Sequence, residues 1–385
     1  MDLIVRVTSP RPALELSPLL ETALGLDVWE VKPDHVVAQA SEAQAERLEH
    51  MGYNVEQVEM TETYLSTFAT AEEATGYHSV ETLEQDLRAL SEGQPDIVEL
   101  REVGRSVEQR PIWALRIGER RGSARKLLFT GCHHAREWIS VEVPYLLAEH
   151  LVQHANEQPV ADWLGRGEIW VVPMMNPDGH EFSRTEFRLW RKNRRPNVDG
   201  SFGVDPNRNY GYMWGTLNVS TSSHVPSDTT YVGPRAFSEP ETRAIRDLIG
   251  RELMSGVLTY HSYSQLILYP WGYTDSAIVD PEDRDEITRL AERMQALIGD
   301  VHGQTYIAQQ SSQLYPTAGD TTDWTYGAYD LPSLTIELRP RTAEEGGFIL
   351  PASEVEPTWE EQRPAALQFI ETVLSAPEPA ADDGA

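Results

Sequence analysis

The stretch KLLFTGCHHAREW, residues 126–138, joins an apolar, β-rich run to two residues that can bind a metal ion. The run KLLFTGC (126–132) is typical of a buried central strand. His134 and Glu137 follow it three positions apart, so at the start of a helix their side chains would point to one side, about 5–6 Å apart at Cβ. A catalytic zinc needs three protein ligands and one open position for water. The pair is therefore incomplete, and on its own it would indicate only a solvated helix face.

Strands alternate with helices from Tyr77 onward, which is the pattern of a sheet with helices on both faces. An edge hairpin is predicted at 97–104 and 110–118, and further buried central strands at EIWVVPMM (168–175), GVLTY (256–260) and SLTIEL (333–338). Helices are predicted at 139–155, 238–254, 284–300 and 357–375. The predicted fold class is α/β, with a mixed, mostly parallel central sheet.

The first 60 residues form a unit of their own, with a βαββαβ pattern typical of a ferredoxin-like split βαβ sandwich. Its strands are predicted at 3–7, 27–31, 35–40 and 54–58, and its helices at 12–24 and 42–52. A polar segment of small residues, partly helical, then connects the two units. The domain plan is therefore a small α+β domain at 1–60, a connector at 61–76, a large domain at 77–375 and a disordered acidic tail at 376–385.

Composition restricts the class of protein. No apolar run approaches 18 residues, so we expect a soluble globular protein without a membrane span. The formal charge of −29 argues against nucleic acid as a partner, because phosphates would be repelled; a heavily solvated acidic surface explains it. The single cysteine, Cys132, rules out an internal disulfide framework and fits a small buried residue better than a metal ligand.

Polar motifs follow three of the predicted central strands: His134 after 126–132, Asn176 after 168–175 and His261 after 256–260. In open α/β sheets, ligands bind outside the carboxyl ends of the strands. His261 is therefore the natural third metal ligand, although a histidine that ends an apolar strand can also be purely structural.

Further residues suit a hydrolytic site. Asp205, in GVDPNRN, is a candidate acceptor for a metal-bound imidazole. Glu337 is a carboxylate inside an apolar strand, where burial is costly unless the group has a function. WRKNRR (190–195) supplies arginines that can polarise a carbonyl, and the adjacent Asn207 and Arg208 are suited to clamping a carboxylate.

With these motifs the chain resembles the zinc carboxypeptidases of the A/B type. The resemblance covers nearly all of 77–375, and the N-terminal unit is similar to the pro-domain of that family. The segments that carry it, in family order, are YHSVETL (77–83), GRSVEQRPI (104–112), HAREW (134–138), NPDG (176–179), LWRKNRR (189–195), GVDPNRN (203–209), FSEPE (237–241), HSYSQLILYPWG (261–272) and TIELR (335–339).

The resemblance implies roles for individual residues. One zinc ion would be bound by His134, Glu137 and His261, and would lower the pKa of its bound water. Glu337 would act as general base and Arg191 would stabilise the oxyanion. The residues expected to bind the substrate are Arg136, Asn207, Arg208 and Tyr315 for its C-terminal carboxylate and Tyr263 for the adjacent subsite. Tyr315 could instead be an ordinary exposed loop tyrosine.

The chain also departs from the A and B types. The residue seven after Tyr315 is Thr322, with Asp320 two positions earlier. This arrangement resembles the bacterial carboxypeptidase T type, which accepts apolar and basic C-terminal residues. Neither lysine nor arginine occurs between Arg47 and Arg88, so the usual trypsin-like activation site is missing.

The expected protein is a monomeric zinc exopeptidase made as a zymogen, whose partners are peptides or proteins with free C-termini and an activating protease. Family members are usually secreted, but the sequence begins without the apolar core of a signal peptide; either the protein stays in the cell or a leader is missing. Two alternatives are a non-catalytic zinc-binding scaffold and a peptidoglycan-directed endopeptidase. The presence of Glu337 and Arg191 speaks against the first, and the full carboxylate clamp speaks against the second.

Overall fold

The N-terminal domain has the element order that the sequence predicts. In the computed structural model, which describes residues 2–10, 16–21, 24–68, 75–119 and 125–376, its four strands form an antiparallel sheet in the order β2-β3-β1-β4. The elements are β1 (Asp2–Thr8), α1 (Ser17–Glu21), β2 (Asp27–Val31), β3 (His35–Ser41), α2 (Glu42–His50) and β4 (Asn54–Met60). This is the ferredoxin-like split βαβ arrangement.

Alternation along β1 gives this sheet two buried faces. Leu3 and Val5 pack against the core that includes Leu48 of α2, whereas Ile4 packs on the large domain. A capping box at Ser41 and Gln44 starts α2. The sheet is therefore covered by its own helices on one side and by the large domain on the other.

The connector is helical at its start, where α3 (Thr61–Phe68) directly follows β4. Residues 69–74 lie outside the described part of the chain, as do 11–15, 22–23 and the tail 377–385, so the prediction of a disordered tail stays untested.

The large domain is built on an eight-stranded sheet with the order β11-β10-β12-β9-β7-β8-β6-β5. Four pairs are parallel, namely β11/β10, β12/β9, β9/β7 and β7/β8, and the other three are antiparallel. The strands are β5 (Val98–Arg105), β6 (Pro111–Ile117), β7 (Arg125–Thr130), β8 (Gly167–Val172), β9 (Gly256–Ser262), β10 (Leu266–Tyr269), β11 (Ile307–Gln310) and β12 (Ser333–Leu338). The mixed sheet and its edge hairpin confirm the predicted fold class.

Helices cover both faces of this sheet. They are α4 (Val80–Gly93), α5 (Ile139–Gln153), α6 (Val160–Arg166), α7 (Pro177–Thr185), α8 (Pro240–Glu252), α9 (Pro281–His302), α10 (Thr321–Tyr329) and α11 (Val355–Ser375). On β7, Leu127 and Phe129 face the core that contains α5, α9 and α11, and Leu128 faces the core that contains α8. No helix in the described ranges is long and apolar enough to cross a bilayer.

The sheet order determines where the polar motifs lie. Because β7, β9 and β12 are adjacent and parallel, their carboxyl ends meet at one edge of the sheet. Glu337 on β12 is the register partner of His261 on β9. His134 and Glu137 follow β7, in the turn before α5.

Candidate metal centre and active site

Three buried side chains converge at the carboxyl ends of these central strands. His134 Nδ1 lies 2.7 Å from Glu137 Oε1, and His261 Nδ1 lies 3.1 Å from His134 Nδ1 and 3.0 Å from Glu137 Oε2. Their potential ligand atoms all lie within 4.8 Å of one another, and no other described group of histidine, cysteine, aspartate and glutamate side chains meets this condition. Two imidazoles and one carboxylate form a donor set that suits zinc.

A close approach of two backbone segments holds the turn that carries His134 and Glu137. A Cβ on Gly131 would lie only 1.8 Å from the Ser140 carbonyl oxygen, so only glycine fits here. The next residue, Cys132, is fully buried and adopts a positive φ of 55°. Burial raises the pKa of its thiol, which agrees with a structural residue and not a ligand.

The other ring nitrogen of His134 has the partner expected of a metal-binding imidazole. Its Nε2 lies 3.1 Å from Asp205 Oδ1, and Asp205 Oδ2 accepts a hydrogen bond of 2.9 Å from Arg191 Nε. Burial alone would raise the pKa of Asp205, but Arg191 and then His134 outweigh it and hold the pKa well below its ordinary value. Asp205 therefore stays ionised and leaves His134 Nδ1 free for the metal.

The carboxylate of Glu137 is ionised for a similar reason. Burial would raise its pKa, but the imidazoles of His134 and His261 outweigh burial and lower it. Burial, followed by the negative charge of Glu137, raises the pKa of Glu337 well above its usual range. A bound divalent cation would oppose that increase, because it would offset the charge of Glu137.

Glu337 faces a cavity of about 40 Å³ that it shares with His134 and with three predicted substrate-binding residues, Asn207, Arg208 and Tyr315. Arg208 is buried; its Nε donates to the Thr221 carbonyl and its Nη1 to the Asn207 carbonyl. Its guanidinium carbon lies 6.0 Å from the centre of the Tyr315 ring.

The predicted specificity residues lie at different depths. Asp320 lines the cavity, and its carboxylate also caps α10 by accepting a 2.9 Å hydrogen bond from the Asp323 backbone N–H. Burial raises the pKa of Asp320. Thr322 does not line the cavity. Its Oγ1 lies 2.6 Å from Oγ1 of Thr335, and Thr335 does line the cavity.

Two further predicted site residues contact the N-terminal domain. Arg136 is fully buried and forms two hydrogen bonds with the Asp27 carboxylate, of 2.5 and 2.9 Å. Its guanidinium carbon also lies 3.8 Å from the centre of the Phe348 ring. Tyr263 packs edge-on against Phe348 at 4.9 Å, in a cluster that includes Trp29 and Tyr64.

Sequence reasoning missed several residues of the site. Thr335 lines the cavity with Glu337, and since the two are separated by two positions on one strand, the alternation of side chains could have identified it. Phe348 and Thr317 lie in loops, which have no periodic pattern of apolar residues from which they could be predicted.

A mixed α/β sheet with a His₂Glu centre and a buried carboxylate at its strand ends is the arrangement of a metal-dependent hydrolase. A sequence profile of the family described as zinc carboxypeptidase matches residues 83–365. Carboxypeptidase B of Astacus astacus is 35% identical over 295 residues, which cover 74% of this chain and 93% of the relative. Human carboxypeptidase B is 34% identical over 299 residues, which cover 76% of this chain and 70% of the relative.

Among solved structures, carboxypeptidase A from Helicoverpa armigera superposes with a TM-score of 0.83 at 26% identity. That match covers 98% of both chains, so the N-terminal domain has a counterpart there. The chain belongs to the zinc carboxypeptidase family. It is a metal-dependent hydrolase that removes C-terminal residues from peptides, and Zn²⁺ is its metal.

Proposed function

We propose that this chain hydrolyses the last peptide bond of its substrates with Glu337 as general base and a zinc ion on His134, Glu137 and His261. The observation that carries the proposal is the shared cavity, because Glu337 lies in it together with His134 and the candidate carboxylate-binding residues. Zinc bound there would activate a water molecule and polarise the scissile carbonyl.

Glu337 would accept a proton from the attacking water and deliver it to the leaving amine. Arg191 would stabilise the developing oxyanion. Its guanidinium is already held by Asp205, and its Nη1 lies 4.0 Å from Glu137 Oε1, so the positive charge is fixed beside the metal ligands. Because the arginine is oriented before the reaction, little reorganisation is needed as charge develops.

The carboxylate of the substrate would bind to Arg208 and Asn207, with Tyr315 and Arg136 beside them. A planar guanidinium can form two parallel hydrogen bonds to a carboxylate, which makes the contact specific for a free C-terminus. The cavity would accept apolar C-terminal residues against Leu314 and Thr335, and basic ones through Asp320. Thr322 would act only through Thr335.

The N-terminal domain would keep the intact chain latent. A cavity of about 40 Å³ holds roughly three water molecules, whereas pockets for small ligands measure roughly 300–1,000 Å³. Asp27 occupies Arg136, and the ring of Tyr64 lies in the cluster that buries Tyr263. An activating protease would cut the connector at 61–76 and release these contacts.

The experiment that tests the catalytic assignment is Glu337→Gln in protein nicked at the connector. We expect kcat to fall by about 10²-fold or more, as for loss of a general base, with zinc content unchanged. Asp34→Asn serves as a control, because Asp34 is an exposed carboxylate of the N-terminal domain. Near-full turnover in the Glu337 variant would remove this residue from the mechanism, and efficient internal cleavage would favour an endopeptidase.

A further inference from the structure

His133 is a third histidine at the metal centre that the proposed mechanism does not use. It is fully buried, and its ring stacks on that of His261, with the ring centres 5.1 Å apart and an interplanar angle of 21°. Its nitrogens nevertheless point to hydroxyl groups. Nε2 lies 2.9 Å from Thr321 Oγ1 and 3.0 Å from Tyr210 Oη, and Nδ1 lies 3.4 Å from Thr259 Oγ1.

The hydrogen bonds of Thr321 determine which nitrogen of His133 carries the proton. Thr321 Oγ1 lies 2.9 Å from Asn207 Oδ1, which can only accept, so the single hydroxyl proton belongs to that contact. Thr321 Oγ1 must then accept from His133 Nε2–H. Because the ring is fully buried, its charged form is disfavoured, so it is neutral and protonated at Nε2, with Nδ1 left to accept from Thr259.

The same contacts orient the side-chain amide of Asn207. Its Oδ1 receives two hydrogen bonds from Thr321, one from the hydroxyl and one of 3.0 Å from the backbone N–H. The amide nitrogen is thereby turned towards the metal centre, where it lies 3.4 Å from His261 Nε2. In this orientation Asn207 presents a donor, which is what a substrate carboxylate needs.

We infer that His133 is a positioning residue, which fixes the Asn207 amide through Thr321 so that it can bind the C-terminal carboxylate of the substrate. The inference rests on the proposed function, since it takes Asn207 as part of the carboxylate clamp. It links the strand end that carries the metal ligand His134 to the start of α10, so the metal centre and the clamp share one hydrogen-bonded path.

Paired substitutions of similar shape test this path in zinc-loaded protein nicked at the connector. Thr321→Val removes the hydroxyl and Thr321→Ser retains it. His133→Asn places its amide near Nδ1, whereas His133→Gln places a donor near Nε2. For a peptide ending in leucine, we expect Thr321→Val and His133→Asn to raise KM about 3- to 10-fold, as for one lost hydrogen bond, with kcat and zinc content near wild type. Serine and glutamine should restore KM.

A wild-type KM in both Thr321→Val and His133→Asn would overturn the inference. So would a fall in kcat or zinc content at unchanged KM, because that result would assign His133 to the metal centre alone. Asn207→Ala separates the two claims: if it leaves KM unchanged, the clamp assignment fails and not the hydrogen-bonded path.

Nitrogen-15 NMR of histidine-labelled protein tests the path without turnover. One neutral Nε2–H signal should vanish in His133→Gln and shift in both Thr321→Val and Asn207→Ala. A His133 ring protonated at Nδ1 would refute the path.

Discussion

Replacement of Asp27 by alanine should activate the intact chain. Asp27 is 6% exposed and is paired through both oxygens with the fully buried Arg136. Its carboxylate also accepts hydrogen bonds from Trp29 at 3.0 Å and Thr229 at 3.3 Å. Without the Asp27 carboxylate, the docked state would leave the Arg136 guanidinium buried without this charged partner. Undocking of the N-terminal domain would instead expose the guanidinium to water.

The expected effect is large because the pair is buried. Removing one partner of a buried ion pair typically costs about 3–5 kcal/mol, and each 1.4 kcal/mol is about a factor of ten in an equilibrium constant. The undocked fraction should therefore rise roughly 10²- to 4 × 10³-fold. The apolar contacts of Trp29 with Phe348 and with Tyr64 remain, so the domain should stay folded and dock more weakly.

The assay compares initial rates on a peptide ending in phenylalanine for the intact and the nicked chain. In Asp27→Ala the rate of the intact chain should approach that of the nicked protein, while Asp34→Asn, on the same domain, should remain latent. A variant as latent as wild type, with normal activity after nicking, would refute the assigned role of the ion pair. Full activity of the intact wild-type chain would refute inhibition by the domain itself.

The pH dependence of latency has a definite sign. Burial would raise the pKa of Asp27, but Arg136 outweighs it and holds the pKa below its ordinary value. The ion pair therefore stabilises the docked state fully at pH values above the pKa of Asp27 in the undocked domain, about 3.9 for an ordinary aspartate. This stabilisation is lost only as the pH falls through the lowered pKa that Asp27 has in the docked state. Incubation at pH 5 should accordingly leave the intact chain latent, and activation near that pH would contradict the pairing.

Three further predictions concern substrates and activation. Peptides amidated at the C-terminus should lose roughly 10-fold or more in kcat/KM, because they lack the carboxylate that Arg208 is proposed to bind; equal rates for acid and amide would contradict this. Asp320→Asn keeps a side-chain oxygen for the cap of α10 and should lower kcat/KM roughly 10-fold or more for C-terminal arginine and lysine but not for leucine; an equal loss would make Asp320 structural. Trypsin should activate poorly, and a protease that cuts after small or apolar residues in 61–76 should activate well, as rates before and after digestion would reveal.

The metal centre was predictable only from two sources together, because the strand ends made the three residues candidates and the family resemblance implied that they bind one zinc ion. His134, Glu137 and His261 follow apolar runs, and adjacency of parallel strands then brings them together. Elements without a strong pattern were missed. The strands β10 and β11 have four residues each, too few for alternation to be recognised, and α7 is short and polar.

Contacts between the domains could not be predicted in the same way. In the sequence, Asp27 is an ordinary polar residue at the start of a short strand. Its pairing with Arg136 depends on how the N-terminal sheet docks on the large domain. The periodic patterns that predict helices and strands carry no information about that docking. Thr321 was likewise inconspicuous, since its contact with Asn207 joins residues 114 positions apart.

The proposed roles in latency, substrate binding and catalysis meet at two buried arginines. Arg136 and Arg191 each lie in the interior and each has a carboxylate partner, Asp27 for the first and Asp205 for the second. The two partners differ in what can replace them. Asp205 belongs to the same domain as Arg191 and also contacts His134, so no domain movement is needed to keep this pair together. Asp27 belongs to a separate domain, and a substrate brings a carboxylate of its own. In the proposed function, the intact chain therefore supplies to Arg136 the same kind of group that a bound substrate would supply, and removal of the domain would leave Arg136 available to an anion.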